Sequence, residues 1–213
     1  MTSLHDIRKD YTKQVLNEDA VSENPIRQLE KWLSEAINAE VQEPTAMTLA
    51  TCSIAGKPSA RIVLLKDLNE DGLIFFTSYE SHKASDILEN PYCAVVLFWP
   101  DLERQVRVEG RVEKVTAKQS DSYFESRPQK SKLGAWASPQ SKVIPNRQCL
   151  EQLMADFEKQ LDGKEIKRPA NWGGYIIKPI LVEFWQGRAS RLHDRIQYRQ
   201  NDANEWVIER LAP

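Results

Sequence analysis

The sequence predicts a mainly β chain of mixed α and β content, an antiparallel small barrel with helices at its periphery. Three observations carry this. After Pro44 the apolar residues change from helical spacing to period two. The period-two stretches are joined by short turns rich in Gly, Pro, Asn and Asp, not by the long crossovers that parallel strands need. The stretch 104–115 alternates cleanly, with Val106, Val108 and Val112 on one side and Gln105, Arg107, Glu109 and Arg111 on the other. That is a strand with one buried and one polar face.

The elements follow in order. Residues 1–20 have weak periodicity and read as a mobile arm or lid. Residues 21–213 read as one domain. Asn24-Pro25 opens a helix, because asparagine caps well and proline suits the first helical position. Ile26, Leu29, Leu33 and Ile37 give it an apolar face, and Pro44 ends the region. Residues 47–53 and 60–66 are strands around the turn Ala55-Gly56-Lys57-Pro58. Asn69-Glu70-Asp71-Gly72 turns into a strand over 73–77. A short helix over 81–89 is closed by Asn90-Pro91, and 92–99 is an almost continuous apolar strand. Helices are expected over 117–126, broken by Pro128, and over 146–161 with Leu150, Leu153, Met154, Phe157 and Leu161 on one face. Gly173-Gly174 opens a strand through Trp185, and 196–199 with 206–211 form a last hairpin.

Composition sets limits on function. With 213 residues, 41% of them hydrophobic, the chain can bury one sizeable core. A net charge of -2 gives no reason to expect nucleic acid or an anionic membrane as partner. No stretch approaches the roughly 20 apolar residues of a membrane span, and the polar N-terminus does not resemble a secretory signal. Cys52, Cys93 and Cys149 fit no zinc spacing and no disulfide framework, so a reducing cytoplasm is the expected setting. Each is expected to act as a small apolar residue. His5, His82 and His193 share no metal-ligand spacing, so no metal is expected. The Gly-rich phosphate loops and the Gly-x-Ser-x-Gly elbow are absent.

What remains is a set of polar and basic residues near strand ends. Strand parity puts Arg61 and Lys66 on opposite faces of one strand. They offer two cations to ligands, or are solvated flanks of a core strand. Phe76-Thr77 precedes Ser81-His82-Lys83, where a helix N-terminus suits an anion. An ordinary Ser81-capped helix is the alternative. Gln105 has the donor and acceptor that suit a flavin imide edge, and suit water equally. Tyr123 and Arg127 share a helical face, and with Ser131 supply donors for a phosphomonoester. Gln140-Ser141 lies in a Ser- and Pro-rich loop. Arg191-Leu192-His193-Asp194-Arg195 follows the aromatic strand end Glu183-Phe184-Trp185-Gln186-Gly187. An arginine can lie flat on a conjugated ring, and a histidine can move a proton near neutral pH. A hairpin turn salt-bridged around Asp194 is the plainer reading.

These segments occur together and in order, and that order resembles the pyridoxine 5'-phosphate oxidase family. The motifs are Arg-Ile-Val-Leu-Leu-Lys, Glu-Arg-Gln-Val-Arg-Val-Glu-Gly, Ser-Arg-Pro with Gly-Ala-Trp-Ala-Ser, Glu-Phe-Trp-Gln-Gly and Arg-Leu-His-Asp-Arg. The match runs from Arg8 to the terminal Arg-Leu-Ala-Pro. The resemblance implies an FMN-binding split β-barrel, a homodimer through its C-terminal region, with FMN at the subunit interface. It implies FMN contacts from Arg61, Ile62, Val63, Leu64, Leu65 and Lys66, then Phe76, Thr77, His82 and Lys83. Gln105, Gln140, Ser141, Trp185 and Arg195 complete that set. It assigns the substrate phosphate to Lys66, Tyr123, Arg127 and Ser131. The substrate ring falls to Arg191, Leu192 and His193, with Arg191 and His193 as the catalytic pair. Arg8, Lys9, Asp10 and Tyr11 match a lid over the site. Many members carry arginine at His82 and tyrosine at Phe76, which puts one FMN phosphate contact and one hydroxyl in doubt.

The implied reaction belongs to vitamin B6 metabolism. Pyridoxine 5'-phosphate or pyridoxamine 5'-phosphate is oxidised at C4' to pyridoxal 5'-phosphate. The hydride goes to flavin N5, and dioxygen takes the electrons and leaves as hydrogen peroxide. Two alternatives stay open on the sequence: a flavin reductase of another substrate on the same barrel, and a carrier of pyridoxal 5'-phosphate without turnover.

Overall fold

The computed structural model describes residues 3–6, 10–161 and 163–213. Arg8 and Lys9 lie outside the described residues.

Helix α1 (Pro25–Asn38) begins where Asn24 Oδ1 accepts the Ile26 N–H at 2.8 Å. Its buried stripe is Ile26, Leu29, Trp32 and Ala36. Ile37, expected on that face, is 52% exposed. At 3.6 residues per turn it stands about 100° round from Ala36, off a stripe centred on Trp32.

Among the described residues, nine strands form one antiparallel sheet: β1 (Ala46–Cys52), β2 (Pro58–Leu64), β3 (Asp67–Asn69), β4 (Gly72–Ser78), β5 (Tyr92–Trp99), β6 (Arg104–Lys114), β7 (Trp172–Gln186), β8 (Asp194–Gln200) and β9 (Trp206–Arg210). The order is β2-β1-β5-β6-β7-β4-β3, with β8 added beside β7 and β9 beside β8. The strand β7 changes neighbour along its length. Its first half pairs β4 through Ile177↔Leu73, and its second half pairs β8 through Leu181↔Arg199. The change falls at Pro179 and Ile180, where the register against β6 shifts between Glu109 and Gly110. Proline has no N–H to give a ladder, so a bulge is where a central strand tolerates it. This is how the sheet splits and stays open.

Met47, Leu49, Val95, Leu97, Val106, Val108 and Phe184 are fully buried and form the main core. A second cluster of Phe124, Leu133, Ile166 and Trp172 holds α3 (Ala117–Ser126) and α4 (Gln129–Ala137) together. Met154, Phe157 and Leu161 of α5 (Arg147–Leu161) are half-buried and pack on it. Helix α2 (His82–Glu89) lies between β4 and β5 in the chain. Two elements have no counterpart in the sequence reading. Strand β3 has three residues, too few to show a period. Helix α4 buries only Leu133 and Ala137, too few apolar positions to mark a face.

Candidate active site

The last turn of β4, the start of α2, edge strand β2 and the α3–α4 junction surround a cavity of about 950 Å³. Arg61, Ile62, Val63, Leu64 and Lys66 line one side of it. Phe76, Thr77, His82 and Lys83 line it from β4 and α2, and Tyr123, Arg127 and Ser131 from the α3–α4 junction. Gln140 and Ser141 border it from the loop after α4. Arg61 and Lys66 therefore face one cavity, which corrects the opposite-face expectation. The strand β2 ends at Leu64, and the Lys66 N–H donates to the Ile74 carbonyl at 2.8 Å, so parity is not carried past the strand. Leu65 turns into the core.

Lys83 is 8% exposed, and its ammonium donates to Thr77 Oγ1 at 3.0 Å and Ser81 Oγ at 3.2 Å. Burial, helped by the charge of Arg61, brings its pKa down to about 8. Arg61 donates to Thr51 Oγ1 at 2.6 Å and Ser59 Oγ at 2.7 Å. The buried Asp86 accepts the Thr51 hydroxyl at 2.6 Å and lies 3.9 Å from Arg61 and 3.8 Å from His82. Gln140 Oε1 accepts from Thr77 Oγ1 at 2.9 Å and the Ser78 N–H at 3.1 Å, which ties the loop to the strand end.

Part of the lining is aromatic. Phe76 and Tyr123 stack with centroids 3.8 Å apart, and Trp172 continues the stack 5.7 Å from Phe76. The Arg127 guanidinium lies over Trp172, 4.5 Å from the ring centre. Its Nη1 is the one buried side-chain polar atom without a hydrogen bond among the described residues. An unsatisfied buried donor costs about 1–3 kcal/mol, so a native site that keeps one calls for an acceptor.

Among the described residues, Tyr11, Gln105, Trp185, Arg191, Leu192, His193 and Arg195 do not line this cavity. His193 lies 4.6 Å from Trp185 and 5.7 Å from Tyr11, ring centre to ring centre. The Arg188 N–H donates to His193 Nδ1 at 3.1 Å, so Nδ1 holds a lone pair and the ring proton of the neutral form sits on Nε2. Burial, with the neighbouring charge of Arg191, lowers the pKa of His193 and favours that neutral form. Arg191 follows Ser190 in a left-handed turn, φ 61° and 57°, and is exposed with Leu192. Gln105 sits opposite Trp185 in the ladder. Arg195 donates to Glu183 at 2.7 Å, and Arg107 donates to the other oxygen of that carboxylate at 2.8 Å. Burial alone pushes Glu183 up, but these two arginines hold it below the usual carboxylate range.

Asp194 does more than bridge its hairpin. It binds Arg188 and Arg210, and it also accepts the Leu16 N–H at 3.1 Å. Glu103, buried, accepts the Thr12 and Lys13 N–H groups at 2.9 and 3.1 Å. These two carboxylates seat the chain after the exposed Asp10, and Tyr11 lands on Gly187.

Trp172, Ser59, Pro128, Glu103, Thr51 and Asp86 escaped the sequence reading. Trp172 had a signal, a tryptophan directly before the Gly173-Gly174 strand start. Asp86 had another, since it lies four residues after His82 on one helix face. Glu103 had none, because its partners are backbone groups 90 residues away.

The fold is that of flavin-binding split-barrel proteins. It is shared with a pyridoxamine 5'-phosphate oxidase-related, FMN-binding protein from Nostoc punctiforme, 21% identical with a TM-score of 0.71 over 91% of this chain and 100% of that one. PhzG from Burkholderia lata, solved with tetrahydrophenazine-1-carboxylic acid, is 29% identical with a TM-score of 0.88 over 94% of this chain and 98% of that one. Residues 33–160 match the pyridoxamine 5'-phosphate oxidase family, and residues 172–213 match the pyridoxine 5'-phosphate oxidase C-terminal dimerisation region. The pyridoxine/pyridoxamine 5'-phosphate oxidase of Mannheimia succiniciproducens is 55% identical over the full length of both chains. That of Neisseria meningitidis serogroup C is 54% identical over 99% of each. The chain belongs to the pyridoxine/pyridoxamine 5'-phosphate oxidase family. It is an oxidoreductase with FMN as cofactor, as the sequence motifs implied. The cavity fits such a group: two cations, Arg61 and Lys83, are bonded to hydroxyls in its lining, and the Phe76–Tyr123 stack adds an aromatic surface.

Proposed function

We propose that this protein oxidises pyridoxine 5'-phosphate and pyridoxamine 5'-phosphate at C4' to pyridoxal 5'-phosphate, as a homodimer with FMN at the subunit interface. The observation that carries the substrate class is the buried Arg127 Nη1 left without an acceptor beside Tyr123 and Ser131. A phosphomonoester supplies a charged acceptor that matches a guanidinium edge.

FMN, when bound, supplies the hydride acceptor at N5, with dioxygen as the final oxidant and hydrogen peroxide as its product. The protein's part is binding and orientation. Arg61, Thr77, His82 and Lys83 would hold the FMN phosphate, and the strand Ile62–Leu64 would back its ring with Gln140 and Ser141. Lys66, Tyr123, Arg127 and Ser131 hold the substrate phosphate. Arg191 lies over the pyridine ring and fixes C4', a proximity effect. His193, neutral with its proton on Nε2, donates to the substrate at that atom. Tyr11, packed on Gly187 beside His193, covers the ring. The Trp185, Arg195 and Gln105 group reaches the flavin from the partner subunit. That division is supported by the separation of the two groups within one chain and by the match to a dimerisation region. The cytoplasm suits the three unpaired cysteines.

The test is direct: incubate the purified protein with FMN, oxygen and pyridoxine 5'-phosphate, and follow pyridoxal 5'-phosphate and peroxide together. Equal formation of both supports the proposal. Bound flavin with no product rejects it in favour of a different substrate. A second measurement addresses the clamp. Arg127→Ala is expected to raise KM by about 10- to 100-fold with kcat little changed, since a hydrogen bond to a charged group is worth about 1.5–3 kcal/mol. An unchanged KM removes Arg127 from the phosphate site.

A further inference from the structure

We propose that Trp172 is a positioning residue for the substrate phosphate, its indole face holding the Arg127 guanidinium so that the guanidinium edge stays open to an oxyanion. This rests on the reading of Arg127 given above. The first observation is what Arg127 lacks. The half-buried and buried arginines Arg61, Arg104, Arg107 and Arg195 each reach a carboxylate. Arg127 makes no ion pair among the described residues. Its guanidinium carbon lies 4.5 Å from the Trp172 ring centre and 5.5 Å from that of Phe124. A carboxylate partner would occupy the donors that a phosphate needs and would neutralise the attraction. A ring face supports the charge and leaves the in-plane N–H groups free, and tryptophan is the best of the rings for this.

The second observation is that Trp172 is itself fixed. Its carbonyl accepts from Arg168 Nη1 at 2.6 Å, and Arg168 is held by Asp121 at 2.7 Å. Its N–H donates to the Pro169 carbonyl at 3.1 Å, and Phe124 meets the ring edge-on at 5.3 Å. Tyr123 lies parallel to it, at an interplanar angle of 6°. The fixed ring therefore backs the Arg127 guanidinium and lies parallel to Tyr123 in the stack.

The experiment uses FMN-loaded wild type, Trp172→Leu, Trp172→Phe, Arg127→Ala and the double variant Trp172→Leu/Arg127→Ala. Binding of pyridoxal 5'-phosphate and of pyridoxal, which has no phosphate, is measured by calorimetry beside steady-state kinetics. Trp172→Leu is expected to weaken pyridoxal 5'-phosphate binding by about 5- to 30-fold, the span between an exposed and a desolvated cation–π contact. It leaves pyridoxal binding and kcat within about twofold, and raises KM. Trp172→Phe, which keeps a smaller ring, loses about 2- to 5-fold. In the Arg127→Ala background, Trp172→Leu adds less than about twofold, because coupled residues are not additive. The inference is overturned by wild-type affinity in either tryptophan variant, by equal losses for pyridoxal, or by an undiminished loss in the Arg127→Ala background. If Trp172→Leu does not retain FMN, Trp172→Phe decides the matter alone. Should Arg127→Ala itself leave pyridoxal 5'-phosphate affinity intact, the phosphate clamp falls, whereas a Trp172 effect independent of Arg127 sinks only this inference.

Discussion

A lysine that is 8% exposed and set beside an arginine gives up its proton early, and Lys83 does so at about pH 8. In the ligand-free chain this has a defined sign. An unfolded lysine keeps its proton to about 10.5, so the unfolded chain binds more protons above pH 8 and stability rises with pH from about 8 to 10.5. Thermal melts of the FMN-free protein should show that rise, and Lys83→Met should remove it. FMN binding moves the other way. If the ammonium form holds the phosphate, affinity falls by at most about tenfold per pH unit above pH 8, because one proton is linked. Flavin titrations across that range check it, and a flat profile takes Lys83 out of the phosphate contact. Arg191 makes a different prediction. It is exposed and outside the main cavity, so Arg191→Leu should leave FMN content unchanged. Turnover should fall by about a hundredfold, the loss typical of a misplaced reacting centre. Near-normal turnover would end the ring-stacking role.

The arm and the β7–β8 turn work as a pair of elements. Gly187 has no side chain, and a Cβ there would lie 2.7 Å from Tyr11 Cγ. The Glu103 and Asp194 carboxylates hold the backbone that follows that contact, at Thr12, Lys13 and Leu16. Gly187→Ala therefore pushes on the arm and not on the barrel core. Overpacking costs about 1–3 kcal/mol, enough to undock residues 11–16 and not enough to unfold the sheet. Trypsin should cut faster after Lys13, with the melting temperature nearly kept. An unchanged cleavage rate at Lys13 means that Gly187 does not seat the arm. A second close approach lies at Gly72, where φ is +151° and a Cβ would stand 2.0 Å from the Ile177 carbonyl oxygen. That glycine lets β3 and β4 turn tightly against β7, and so places Phe76 and Thr77 in the cavity lining.

At the scale of the molecule, the proposed site is in two pieces. The cavity group of Arg61, Lys83, Tyr123 and Arg127 stands apart from the group of Tyr11, Trp185, Arg191 and His193. Edge strand β2 leaves Ile62 64% exposed at the rim, an apolar surface of the kind that a partner covers. If each site draws one piece from each subunit, variants in different pieces complement one another. Arg127→Ala and Arg191→Leu chains, each weak alone, should form mixed dimers with one intact site. Co-expression with two affinity tags should recover up to about half of wild-type activity per mixed dimer, the value set by two-fold symmetry. No recovery in a purified mixed dimer means that both pieces serve one site within a chain.

The local elements were legible because each follows from spacing along the chain. Helix α1 announces itself through Asn24-Pro25, and β6 through the valine alternation from Val106 to Val112. Helix α4 and strand β3 were not, since neither is long enough or apolar enough to show a period. The residue types of the site were legible too, because its motifs are contiguous: Arg61 to Lys66, Tyr123 to Ser131, Arg191 to Arg195. Their grouping was not. Chain order does not say that Lys66 rejoins Arg61 in one cavity, that Glu103 receives the N–H groups of Thr12 and Lys13, or that Trp172 lies under Arg127. By itself the sequence determined the family, the cofactor and the antiparallel barrel, which depend on local pattern and residue identity. The tertiary structure alone decided which cations share a cavity and which stand apart, because long-range pairings such as the partner change of β7 at Pro179 bring distant residues together.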